Sequence, residues 1–175
     1  MTEFIEFDPV DDIAAGAFGQ PGERTFLIQA RKGEAELSVL VEKEQVRLLA
    51  LEAQQFLDGI ARDIPEDPPN AVEDAGGAVR EAVPLFRARL IGIGYDPDRE
   101  LVLIELREDA PDEDDEEPPP PPDESEGHIA RLYATRAQVR VMLRNGVAAV
   151  EGGRPKCTLC GFPMNPDKHI CPRWN

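Results

Sequence analysis

Serine and histidine are scarce, with two of each in 175 residues. Ser38 falls in an apolar, strand-like segment and Ser125 in an acidic run, while His128 and His169 stand far apart. A Ser-His-Asp arrangement therefore has little to be built from. Carboxylates abound, but they crowd into a stretch with almost no apolar side chain, which cannot hold an acid–base pair in a fixed geometry. No apolar run approaches the ~20 residues of a membrane-spanning helix. The opening Met1-Thr-Glu-Phe-Ile-Glu-Phe7 also lacks the basic-then-apolar layout of a secretion signal. The glycines of Gly16-Ala-Phe-Gly-Gln-Pro-Gly22 invite comparison with a phosphate cradle, yet they lead toward a strand at Arg24. Phosphate loops of known mechanism lead into a helix N-terminus, so this segment reads as a turn. These absences weigh against an enzyme and leave a binding protein as the leading expectation.

Cysteine is missing from the first 156 residues, and all three cysteines lie in the last nineteen. They stand as Cys157-Thr-Leu-Cys160 and His169-Ile-Cys171, four ligands of the type that a tetrahedral zinc ion takes. A C-x2-C pair brings two thiolates to one side of a tight turn, and Gly161 follows directly. His169 and Cys171 are two apart, so in extended backbone both side chains share a face. Three cysteines cannot all pair with one another, which excludes a pure disulfide framework. A redox dithiol of Cys157 and Cys160 is the competing reading, but such motifs open a helix, and Pro163 and Pro166 stand close behind. The H-x-C half leaves two choices for the fourth ligand, His169 or Asp167. A site closed by four protein ligands is structural, because catalytic zinc keeps a position for water.

The formal charge of −16 is unevenly spread. The stretch 109–126 (DAPDEDDEEPPPPPDESE) carries ten acidic residues and no basic one. It reads as a disordered acidic linker, since it has nothing to bury and five consecutive prolines to keep it extended. From Gly127 onward the sign reverses: eight Arg and Lys face only Glu151 and Asp167. Clustered thiols suit a reducing, cytoplasmic compartment.

Folded elements are expected on either side of a polar loop at 65–84. Short strands are read at Glu3–Phe7 and Ile129–Tyr133. Hairpins are read at Arg24–Val41 around Arg31-Lys-Gly-Glu, and at Leu85–Arg107 around Asp96-Pro-Asp-Arg. Lys43 to Ile60 places Val46, Leu49, Ala50, Ala53, Phe56, Leu57 and Ile60 on one helical stripe. A second helix opens after Thr135, a good N-cap, and runs to about Val150. Both helices begin with Gln-Val-Arg, at Gln45 and Gln138, which hints at a duplication. The expected fold is α+β: an antiparallel sheet of about five to six strands with two packed helices over residues 1–151, then a small zinc-knuckle tail at 152–175.

Arg136, Arg140 and Arg144 recur every four residues and form a basic stripe on the second helix. With Arg154 and Arg173 they form the expected partner-binding set. A protein partner is favoured, nucleic acid is a second choice through the basic C-terminal third, and the acidic linker folding back onto the stripe is a third. The expected function is thus a non-enzymatic binding or adaptor protein with structural Zn2+ on Cys157, Cys160, His169 and Cys171. The alternative is an accessory enzyme using the cysteine cluster as a redox dithiol or catalytic zinc site.

The tail Gly153-Arg-Pro-Lys-Cys157-Thr-Leu-Cys160-Gly-Phe-Pro, with His169-Ile-Cys171-Pro-Arg-Trp-Asn175, resembles the end of a conserved actinobacterial family of unknown function. Gly19–Ala30 and Val41–Val46 resemble it too. The resemblance implies a cytoplasmic actinobacterial protein and brings no catalytic residues with it.

Overall fold

The computed structural model describes residues 3–66, 77–109, 118–165 and 169–173. In chain order the elements are β1 (Phe4–Phe7), β2 (Asp12–Phe18), β3 (Thr25–Lys32), β4 (Ala35–Val41), α1 (Lys43–Asp63), β5 (Phe86–Arg87), β6 (Leu90–Asp96), β7 (Leu101–Arg107), β8 (Ile129–Ala134) and α2 (Arg136–Glu151). The class is α+β with two helices, as expected. The strands, however, divide into two mixed four-stranded sheets, ordered β2-β3-β4-β5 and β6-β7-β8-β1.

The division follows from a repeat. Each half runs strand, three-stranded antiparallel meander, helix. Each half's first strand leaves its own meander and pairs in parallel with the last strand of the other half. Thus β1 lies beside β8 (Phe4 opposite Ile129, Phe7 opposite Leu132), and β5 lies beside β4 (Val39 opposite Phe86). The crossings match atom for atom. Val10 N–H donates to Tyr133 O and Ala88 N–H to Leu40 O, each into the foreign sheet. The next residues, Asp11 and Arg89, donate to Arg31 O and Arg107 O, each into the home sheet. This is why Leu85–Tyr95, read as one strand, is two: the chain changes sheets between Ala88 and Arg89.

The shared Gln-Val-Arg serves the same design twice. Gln45 accepts from the N–H of the N-cap Glu42, and Gln138 from that of Thr135, which closes a capping box at each helix start. Their amide NH2 groups then reach the sheet-crossing segments, Gln45 to Ala88 O at 3.1 Å and Gln138 to Asp11 O at 3.3 Å. Val46 and Val139 beside them are buried.

One continuous core draws Ile28, Val39, Leu57, Ile104, Leu132 and Met142 from both sheets and both helices. Helix α2 packs on β2 at Ala15, whose Cβ is 3.5 Å from a Cβ placed on Gly146, while Gly16 on the strand's other face meets Val79. Part of the acidic stretch is held down. Arg107, buried beneath it, donates to Pro120 O at 2.6 Å, Ser125 donates to Asp109, and Glu108 accepts from the His128 backbone. Residues 110–117 lie outside the described residues. Among the described residues no helix is long and apolar enough to cross a membrane.

Candidate metal centre

The tail begins where α2 ends, with Gly152 N–H closing on Ala148 O. Lys156 then pairs with Pro163 in a single antiparallel bridge, so that Cys157 N–H donates to Phe162 O and Met164 N–H to Pro155 O, each at 2.8 Å. The tight return is completed by Gly161 N–H donating to Cys157 O. Gly161 sits at φ +77°, a left-handed backbone that costs an L side chain about 1–2 kcal/mol. This turn aims both thiols of the C-x2-C pair inward.

The returning segment supplies His169 and Cys171. The four ligand atoms of Cys157, Cys160, His169 and Cys171 lie within 4.8 Å of one another. Cys157 Sγ is 3.9 Å from Cys171 Sγ, and Cys160 Sγ is 3.3 Å from His169 Nε2. Bonds of ~2.3 Å to sulfur and ~2.0–2.1 Å to nitrogen place tetrahedral ligands about 3.8 and 3.5 Å apart, so the spacing fits a single small cation. Cys157 and Cys171 are buried, while Cys160 and His169 are half-buried. Asp167, the other choice for fourth ligand, lies outside the described residues.

Electrostatics inside the cluster are uneven. The N–H groups of Cys160 and Leu159 pull the Cys157 thiol down to about 6, against the effect of burial. Burial pushes the Cys160 thiol up. A cation bound between them supplies what Cys160 lacks, because coordination removes the thiol proton. Arg173 donates to Leu159 O and ties the two ends of the tail together. Around the cluster Leu159, Phe162 and Ile170 are exposed, so the tail has little apolar core of its own to order it.

The five arginines of the expected partner set divide among different settings. Arg136 donates to Ile64 O at 2.6 Å and Pro65 O at 3.0 Å, and lies over the Tyr95 ring. Arg140 forks onto Glu66 at 2.8 and 2.5 Å and reaches Asp58 at 3.0 Å. That hydrogen bonding holds the Glu66 carboxyl below its ordinary value. Both arginines thereby fasten α2 to the C-terminal end of α1. Arg144 joins Arg47 and Arg140 around an apolar groove of about 480 Å³ between the helices, floored by Ala50, Leu51, Leu143 and Val147. Arg154 donates to Asn165 and Arg173 to the tail itself. The groove went unseen in the sequence, because Leu51 lies off the main stripe of α1 and reads as an isolated surface leucine.

One family model, described as a protein of unknown function (DUF3090), matches residues 5–171, which span the two sheets and the cysteine cluster alike. The chain belongs to this family. No curated protein and no solved structure matches it.

Proposed function

We propose that this member of the DUF3090 family is a non-enzymatic binding protein whose tail is closed by a structural zinc ion. The observation that carries the reading is the set of four convergent ligands, Cys157, Cys160, His169 and Cys171, within bonding reach of one centre. Three thiolates and an imidazole suit zinc by softness and geometry, and four protein ligands leave no position for a reacting water. The ion orders a segment too poor in apolar contacts to order itself. The partner is a protein, docked over the groove between α1 and α2, where exposed Leu51 and Val147 lie among arginines. Nucleic acid is the less favoured partner, because Arg136 and Arg140 of the basic stripe are already engaged within the chain. We further read the protein as cytoplasmic, from its clustered thiols, and as actinobacterial, from the resemblance of its tail to a family of that origin, with which its arginine-rich, lysine-poor composition agrees.

A second reading has its own support: the depressed Cys157 thiol is what an attacking thiolate needs, with Cys160 as the partner that resolves it. Metal content separates the two. Under native conditions the mass of the purified protein should include one zinc per chain, lost on denaturation and in Cys171→Ser, with all three thiols unreactive until a chelator is added. A metal-free protein whose Cys157 and Cys160 react at once and cycle with a dithiol reductant would overturn the structural-zinc reading.

A further inference from the structure

A second site lies apart from the four metal ligands, where the start of α1 meets the first residues of the tail. A cleft of about 580 Å³ opens between the start of β3, the start of α1, β5 and the first residues of the tail. Four cations line it, Arg24, Lys43, Arg87 and Arg154, against the single carboxylate of Glu42. Glu42 is already paired with Arg87. Arg24 and Lys43 converge: a Cβ placed on Gly153 would stand 3.5 Å from both Arg24 Nη2 and Lys43 Nζ. The Arg24 guanidinium carbon lies over the Phe26 ring, 5.3 Å from its centroid, and neither cation meets a carboxylate among the described residues. Arg154 packs against Gly22, where a Cβ would come within 3.4 Å of its Cδ. Its guanidinium is steadied by the neutral Asn165 side chain.

The ordinary explanation is that these cations complement the C-terminus of α2, which has no basic residue in its own last turn. That end carries only about half an elementary negative charge, and the N-terminus of α1 at Lys43 brings about the same of opposite sign. The two helix ends cancel. A surplus of positive charge remains in a chain whose total is −16.

We propose that this cleft binds a small phosphate ester. The convergent cations suit a doubly charged phosphoryl group, and Arg24 and Arg154 offer the planar donors that phosphate oxygens accept. Phe26, Leu40 and Pro84 form an apolar wall beside them, suited to the body of the ester rather than to inorganic phosphate alone. The volume falls within the range of small-molecule sites, about 300–1,000 Å³. The ligand is small because a long polyanion would meet the repulsion of the whole acidic chain, whereas a small one meets only the local field. The site shares no ligand with the cysteine cluster, and Arg24 and Lys43, which carry its test, lie outside the tail, so the failure of either reading leaves the other standing.

Calorimetric titration of the full-length protein with inorganic phosphate and with adenosine monophosphate tests this. Both should saturate at one per chain, the ester at least about tenfold more tightly. Arg24→Gln and Lys43→Gln should each weaken the ester about tenfold or more with no change in melting temperature, and Arg24→Lys should keep part of the affinity. Lys43 is exposed, so its variant carries the test if Arg24→Gln fails to fold. No saturation by ~10 mM ester, or affinity untouched by both substitutions, would overturn the proposal. Tight binding of a long oligonucleotide in preference to the ester, with a steep salt slope, would overturn the ligand class.

Discussion

Gly146 of α2 is packed between α1 and β2. A Cβ there would stand 3.0 Å from Val46 Cγ1 and 3.5 Å from Ala15 Cβ. Two effects of opposite sign meet in Gly146→Ala. Alanine gains up to about 1 kcal/mol of helix propensity, whereas an extra methyl in a packed core costs about 1–3 kcal/mol. Val46 is buried, β-branched and restricted at χ1, so it cannot swing aside, and the packing cost should win. The variant is expected to lose about 1–2 kcal/mol in a denaturant titration, and Val46→Ala in the same chain should recover most of the Gly146→Ala penalty. A higher midpoint for Gly146→Ala alone, at unchanged slope, would show that the helices have room. Nothing in the sequence marks this glycine, since its neighbours come from α1 and β2. The metal cluster is the opposite case. Its four residues lie within fifteen positions, and the chemistry of thiolates and imidazole limits what such spacing can mean.

At the level of elements, both helices were legible, because an apolar stripe of period 3.6 and a capping residue depend only on nearby sequence. Strand β2 was not. Its Ala14-Ala15-Gly16-Ala17 lacks the β-branched and aromatic residues that announce a strand, and its small side chains are explained only by distant chain, α2 at Ala15 on one face and Val79 at Gly16 on the other. The arginine stripe was legible as a pattern but not in its use, since the partners of Arg136 and Arg140 arrive from the far end of α1. What those two ties leave between the helices is the groove around Leu51, Leu143 and Val147. On the proposed function its arginine rim would favour an acidic, amphipathic segment of a protein partner, although Glu44 already pairs with Arg47 and Glu66 with Arg140. A photo-crosslinking residue at position 51 should give a discrete adduct with that partner. The adduct should fall severalfold in Arg47→Glu and persist in Arg47→Lys. Equal labelling from the exposed position Val83, or indifference to the charge reversal, would remove the groove as a docking surface. A crosslink within the chain to the acidic run would assign the groove to that run instead.

The whole molecule is organised by an exchange. Each half contributes four strands and a helix, and each completes the other's sheet with its first strand, β1 against β8 and β5 against β4. The sequence carried a trace of this in the repeated Gln-Val-Arg, and the structure supplies the reason for the trace. Gln45 and Gln138 each cap a helix and clamp the segment where the other half's strand turns home. The partition into two sheets could not be read from hairpins alone, because local pairing says nothing about which meander an incoming edge strand will join. The exchange has a consequence for folding. Neither half can close its sheet, and each would expose an unpaired edge on β4 or β8 together with the apolar faces of its helix and strands. A chain divided between residues 66 and 77 should therefore yield halves that are unfolded as monomers or that pair with copies of themselves through the same strand exchange. Mixed in equal amounts, they should assemble into a one-to-one complex with the circular dichroism of the intact protein and a concentration-dependent melting temperature. If either half alone were a folded monomer with cooperative melting, the exchanged strands would be decoration, and the two sheets would have to be regarded as independent folding units.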